Sequence, residues 1–366
     1  MDGFNYVSYA QEVIFAPGTL ARLREGVQRF GWQRLMLCTS HSMQVGGQVD
    51  KIKSNLGEKL VAIFDHVQQH VQDFQVQEAL ALAQKEKVDA VIGLGGGSPI
   101  GMAKAVGFQL HLLIIAIPTT YAGSEMTAVY GITHTDENPP RKVTVKDPNI
   151  APRLVIYDPE LTLDLHPVLT ASTGINALAH CIEALYSKTR NPVSSAAAVD
   201  GVRHINNALF ECYQDGHNLE ARAEMLLGSH LAGLSLASVS MGLHHGLCHV
   251  LGGSANVPHG IANAIILSHA VKFNADATAA ELLPAAEAMK VSENGTSPKR
   301  IIEALAQKIF ELVGKMNLPQ RLRDAGVAET ELPRLAQIAF QNKTVQSNPK
   351  PITEIMQLEK LLRDAW

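Results

Sequence analysis

Five of the chain's 15 histidines, His180, His244, His245, His249 and His259, are spaced as residues of one site would be. Asn176 and His180 stand four residues apart, as do His245 and His249, so each pair shares one face of a helix. His259 follows the second pair after the turn Gly252-Gly253-Ser254-Ala255-Asn256-Val257-Pro258. Scattered histidines are usually surface or satisfied core residues, and His41, His134, His204 and His217 are read that way. Two i,i+4 pairs with a further imidazole close behind predict a shared polar site. Convergent imidazoles serve metal binding or proton transfer near neutral pH.

A second chemical signal lies upstream. The apolar run 90–94 leads directly into Gly95-Gly96-Gly97-Ser98, then Pro99 and the helix-forming Met102-Ala103-Lys104-Ala105. Glycines at a strand-to-helix turn let backbone N–H groups approach a pyrophosphate, and the helix start adds partial positive charge. Such turns also occur as packing devices; the strand before and the helix after favour the binding role. Pro118-Thr119-Thr120 ends the next apolar run at the same sheet edge and offers two hydroxyls to phosphate or ribose. The run 34–39 ends in Thr39-Ser40-His41, where dinucleotide folds often carry an acid that repels a 2′-phosphate. Its absence makes NADPH as feasible as NADH. The expected cofactor-binding residues are Gly95, Gly96, Gly97, Ser98, Thr119, Thr120 and Ser40.

These residues need a scaffold. Runs 34–39, 60–64, 90–94, 112–117 and 154–157 read as buried parallel strands, with amphipathic helices over 76–87 and 100–108. Strand and helix in alternation predict an α/β doubly wound parallel sheet over residues 1–163. Beyond about Leu165 the pattern is helical throughout, over 171–188, 194–210, 218–237, 244–252, 299–316, 331–340 and 352–364, which predicts an all-α domain over 164–366. Ser292–Ser297 reads as a surface loop.

With 366 residues, two domains are the default. A 46% hydrophobic and 18% charged composition is that of a globular protein. A formal net charge of −4 without a basic block argues against nucleic acid or an anionic membrane as partner. No apolar run nears the roughly 20 residues that span a bilayer, and the N-terminus carries no secretory pattern, so a cytoplasmic location is expected. The four cysteines, Cys38, Cys181, Cys212 and Cys248, lack a C-x-x-C pair and read as buried thiols.

Taken together, the Gly-Gly-Gly-Ser turn, the Pro-Thr-Thr strand end, Gly123-Ser124-Glu125, Tyr157-Asp158-Pro159-Glu160-Leu161 and the H-x-x-x-H…H pattern resemble the iron-containing alcohol dehydrogenase superfamily along the whole chain. The resemblance implies that superfamily's dehydroquinate synthase-like fold, a homodimer and a small-molecule substrate. It also implies a divalent metal held by an aspartate and three histidines. Carried over by motif, those positions are Asn176, His180, His245 and His259, with His249 lining the pocket. The aspartate is absent, and a second family aspartate, in GGGSxxD, is Gly101 here.

Both departures resemble the maleylacetate reductase branch, as do residues 118–127 (PTTYAGSEMT), 244–253 (HHGLCHVLGG) and Asn348-Pro349-Lys350-Pro351. A neutral Asn176 should weaken metal binding, so a bound metal is not expected; if one is present, His180, His245 and His259 are its ligands. Two features depart from the branch. Gly246 replaces its common lysine, and residues 258–263 (PHGIAN) resemble the metal-dependent alcohol dehydrogenases.

The branch implies reduction of maleylacetate to 3-oxoadipate, a step of aromatic catabolism. His180, His245, His249, His259 and Asn176 are the expected catalytic set, with Lys142 a cationic anchor for the dianion or else a solvated surface lysine. A metal-dependent alcohol dehydrogenase or aldehyde reductase, and a non-redox protein on the same scaffold, are the competing readings.

Overall fold

The structure is a computed structural model. It describes residues 3–68, 70–134, 141–291 and 297–366, with the side chains of Arg141 and Lys142 excepted. It comprises two compact units, one of Ser8–Leu165 and one of His166–Trp366 with the residues up to Val7.

In the N-terminal unit the strands are β1 (Glu12–Phe15), β2 (Leu35–Cys38), β3 (Leu60–Phe64), β4 (Ala90–Gly95), β5 (Leu113–Pro118), β6 (Val129–His134), β7 (Arg141–Lys146) and β8 (Leu154–Tyr157). Six form one parallel sheet in the order β1-β8-β5-β4-β2-β3; β6 and β7 pair separately as an antiparallel hairpin. Helices α1 (Leu23–Arg29), α2 (His41–Val45), α3 (Gln48–Leu56), α4 (Asp73–Lys85) and α5 (Gly97–Leu110) connect them.

Alternation along the buried strands fills both faces of the sheet. Leu35, Leu37, Ile92, Leu94, Ile115 and Ile117 join one core with α1 and α3. Met36, Cys38, Val91 and Ile114 join the other with α4 and α5. The expected doubly wound sheet is present. The chain moves one way across the sheet from β2 to β3 and the other way from β4 to β5. Ligands bind such folds at that switch point, outside the carboxyl ends of the strands.

All elements of the C-terminal unit among the described residues are helical: α6 (Pro167–Tyr186), α7 (Pro192–Gln214), α8 (Leu219–Ala237), α9 (Leu243–Ala255), α10 (His259–Asn274), α11 (Ala279–Ala288), α12 (Pro298–Lys315), α13 (Leu332–Gln341), α14 (Lys343–Gln346) and α15 (Ile355–Asp364), with short 3-10 turns between some of them. Helices α9, α10, α13 and α15 share a core built on Leu247, Leu251, Ile266, Leu335 and Leu358. Residues 292–296 of the expected surface loop lie outside the described residues. All four cysteines are free and buried.

Candidate active site

The glycine turn is set by backbone geometry. Gly95 has φ +135°, a conformation open to glycine, and a Cβ there would lie 2.9 Å from the Pro99 ring. Strand register places Gly95 opposite Pro118, so the turn and the Pro-Thr-Thr segment leave the sheet side by side. Helix α5 begins at Gly97, three residues before the expected start, so Ser98 and Pro99 lie in its first turn. The exposed N–H end of that helix is where an anion is favoured.

The expected contacts divide unequally. Thr119 is buried, and its hydroxyl turns to the Met43 sulfur at 3.9 Å, whereas Thr120 is half-buried beside Gly96. The Ser98 hydroxyl accepts from the His70 backbone N–H at 3.2 Å. Ser40 precedes α2 and pairs with the Ser42 hydroxyl at 2.9 Å. Lys142 lies on β7, and its side chain is outside the described residues.

Gly101 is closely packed. A Cβ there would lie 3.0 Å from Val71 Cγ2, so a side chain at this position needs Val71 to give by a few tenths of an ångström. That residue has little room to give: Val71 has φ +40°, its carbonyl accepts from Thr133 N–H at 2.9 Å, and the preceding His70 is held by Ser98.

The histidines do converge. In the C-terminal unit, α6 presents Ser172, Asn176 and His180 at successive i,i+4 positions. A Cβ on Gly260 would lie 2.8 Å from Ser172 Cβ, so this glycine lets the first turn of α10 approach α6 and bring His259 with it. The His180 and His245 rings stack with centroids 4.8 Å apart; His259 lies 6.1 Å from His245 and 6.0 Å from His249. His180 and His245 are buried, His259 is half-buried and His249 is exposed, so the cluster runs from the interior to solvent.

Glu183, absent from the expected set, organises this cluster. It is fully buried, and its oxygens accept from the backbone N–H groups of Gly242, His244 and His245 at 3.1–3.2 Å, from the Tyr186 hydroxyl at 3.2 Å, and from His245 Nδ1. An acid on α6 thus caps the start of α9 and fixes the tautomer of His245. Burial alone would push the Glu183 carboxyl up, but the imidazoles of His245 and His244 hold it well below the usual carboxylate range. The available signal was charge: Glu183 is the lone charged residue in the 20-residue helix α6, three positions after His180.

Because Nδ1 of His245 donates to Glu183, its Nε2 presents a lone pair, buried and without a partner. Asn176 Oδ1 and His180 Nδ1 are buried and unpartnered as well. Burial, together with neighbouring imidazoles for His180 and against the pull of Glu183 for His245, lowers both histidines below the ordinary imidazole range. Burial thus disfavours charge on either ring, and at the buried end of the cluster Asn176 Oδ1 and His245 Nε2 are free acceptors.

Glu183, His244 and His245 bring ligand-type atoms within 4.8 Å of one another. The Glu183 oxygens are already taken up by five donors, which favours an orienting role over ligation. His180, His245, His259 and the Asn176 oxygen are the groups whose chemistry fits a divalent cation, being imidazoles and a carbonyl. The expectation of a metal-free site gains no support from this geometry. The lysine that the branch commonly carries at position 246 is excluded, since a Cβ there would lie 2.5 Å from Val345 Cγ2 and 2.8 Å from the Val345 nitrogen.

Residues 10–159 match the iron-containing alcohol dehydrogenase family model, and residues 170–366 match the model of the Fe-containing alcohol dehydrogenase family, C-terminal. The chain belongs to the iron-containing alcohol dehydrogenase family. It is an oxidoreductase.

Among members of that family, the chain is 36% identical to a maleylacetate reductase of Pseudomonas knackmussii over 355 residues, 97% of this chain and 95% of that one. The crystal structure of a maleylacetate reductase from Agrobacterium tumefaciens superposes with a TM-score of 0.90 at 33% identity, over 100% of this chain and 99% of the other. A 1,3-propanediol oxidoreductase superposes with a TM-score of 0.94 at 32% identity, over the whole of both chains. Fold alone therefore does not choose between a conjugated and a simple carbonyl substrate.

Proposed function

We propose that the chain is a nicotinamide-dependent maleylacetate reductase, acting on an unsaturated keto-dicarboxylate. The observation that carries this reading is Asn176: an unpartnered amide oxygen stands where the family's metal site has its carboxylate. Full-length similarity to maleylacetate reductases supports the same choice.

When bound, reduced nicotinamide supplies a hydride to the alkene carbon β to the ketone. Conjugation then carries the electron pair onto the ketone oxygen, and a proton must reach the carbon between. A divalent cation, if held by His180, His245, His259 and Asn176, would polarise that oxygen. An enone depends less on such help than an isolated carbonyl, because the developing charge is shared along the conjugated chain.

The cluster's own part is to handle the proton. His245, aligned by Glu183 through Nδ1, takes a proton at Nε2 from the solvent side and gives it up to the carbon α to the ketone. Solvent-exposed His249 and half-buried His259 link that acceptor to bulk water. Gly95, Gly96, Gly97, Ser98 and Thr120 line the dinucleotide phosphates, and Thr119 supports Thr120 from within. Since Thr39, Ser40 and His41 bear no carboxylate, the reading takes NADPH as well as NADH. Lys142 stays a candidate anchor for the dianion on sequence grounds.

Loss of absorbance at 340 nm with NADH or NADPH tests the reading. Turnover with maleylacetate well above that with simple aldehydes is the expected result. The competing reading, metal-dependent aldehyde reduction, is favoured by the three convergent imidazoles. It predicts the reverse preference, with activity lost in chelator and restored by Fe²⁺ or Zn²⁺.

A further inference from the structure

We propose that Lys104 is a positioning residue for dinucleotide binding, its ammonium tying helix α5 to the segment that forms the opposite wall of the glycine turn. The inference rests on the dinucleotide reading of that turn.

Lys104 is fully buried on α5, where an aliphatic residue of similar volume would fill the space at lower cost. Its Nζ instead donates to a cluster of oxygens in one short stretch: the carbonyls of Ser124, Thr127 (2.7 Å) and Val129 (3.0 Å) and the Thr127 hydroxyl (3.1 Å). These carbonyls belong to irregular chain and a strand start, and three of them converge on one cation. The Thr127 hydroxyl also donates to the Ser124 carbonyl at 3.0 Å, closing the stretch on itself.

A buried carboxylate completes the arrangement. Glu125 is buried and accepts from the Tyr157 hydroxyl at 2.7 Å, and burial pushes its carboxyl above the usual carboxylate range. Burial lowers the Lys104 ammonium to about 7, with Glu125 opposing the shift. The Glu125 backbone carbonyl is held from the far side by Gln11 Nε2 at 2.9 Å.

What this network fixes is the distance between the walls. Thr119 N–H donates to the Gly95 carbonyl at 3.0 Å. A Cβ on Gly96 would lie 3.2 Å from Thr120 Cγ2 and Oγ1, and one on Gly97 would lie 3.9 Å from Ala122 Cβ. The two walls therefore touch at Gly96. The Thr119–Ala122 wall runs straight into Gly123, φ +74°, and then into the stretch that Lys104 holds. Releasing Ser124 and Thr127 frees the downstream end of that wall, and the phosphates lose a preset cradle.

Lys104→Met keeps the volume and removes the donors; Thr127→Val removes the hydroxyl of the same tie. Ile52→Ala, in the core beneath α3, is the control for lost stability without a change at the turn. Equilibrium titration gives Kd for NADH, melting gives Tm, and kinetics at saturating maleylacetate separate KM for NADH from kcat. Lys104→Met is expected to raise Kd and KM for NADH at least about tenfold while kcat at saturating NADH stays within about threefold. Thr127→Val should raise Kd about two- to fivefold, and Ile52→Ala should lower Tm with an unchanged Kd.

Wild-type Kd in folded Lys104→Met protein overturns the proposal. So does wild-type Kd in Thr127→Val if the first variant does not fold. A wild-type chain that binds neither NADH nor NADPH removes the dinucleotide reading itself, and this inference with it.

Discussion

Asn176 Oδ1 and His245 Nε2 are both buried acceptor atoms without a partner. A carboxylate at position 176 would add the anion that a divalent cation prefers to an amide. Asn176→Asp is therefore expected to retain iron or zinc through dialysis at about tenfold higher occupancy than the wild type. Equal occupancy in the two proteins, measured by elemental analysis, would remove Asn176 from this account.

His245 is tested by loss rather than gain. A positioned acid–base group commonly contributes 10²–10⁴-fold, so His245→Ala should lower kcat at least about tenfold. His204→Ala is the control, since that imidazole sits among Asp200 and Glu224 on the surface of α7 and α8. Near-normal kcat in His245→Ala, with only a lower Tm, would reduce the residue to packing. The i,i+4 spacing that pointed to Asn176, His180, His245 and His249 is visible in sequence. Glu183 stands out in sequence only as the lone charge of its helix, and its role depends on α6 and the start of α9 meeting in space.

Elements were legible where their apolar pattern is local. Five of the six strands of the parallel sheet lie within a residue or so of the apolar runs, since buried parallel strands are continuous apolar stretches. Helix α10 was not, although it carries His259. Its residues 262–268 are buried on every side, so no amphipathic period marks it. The β6–β7 hairpin and β1 were missed for a related reason: short strands with mixed polarity have no strong signature.

Packing between elements also explains the two glycine departures. At Gly101, α5 meets Val71, whose backbone is held at both ends. Gly101→Asp adds volume and a buried charge there, and should cost about 1–3 kcal/mol. Melting should show a Tm several degrees lower, recovered in part by Val71→Ala in the same chain. An unchanged Tm for Gly101→Asp alone would mean that Val71 does not set this position.

For the molecule as a whole, composition and charge exclude more than they assign. A net charge of −4 without a basic block carries no sequence signal for nucleic-acid binding, and no helix among the described residues is long and apolar enough to cross a membrane. The family assignment rests on matches that run over both units, whereas the substrate rests on a few side chains in one cluster. Relatives of similar identity bear different names, a maleylacetate reductase at 36% and a 1,3-propanediol oxidoreductase at 32%.

The central claim is that hydride goes to a carbon–carbon double bond and not to a carbonyl. The most direct measurement uses NADH carrying deuterium at the transferable position of nicotinamide C4, with maleylacetate as substrate and the product read by NMR. The account predicts deuterium on the former alkene carbon β to the ketone, with the ketone intact. Deuterium on a carbinol carbon, the signature of carbonyl reduction, would contradict it.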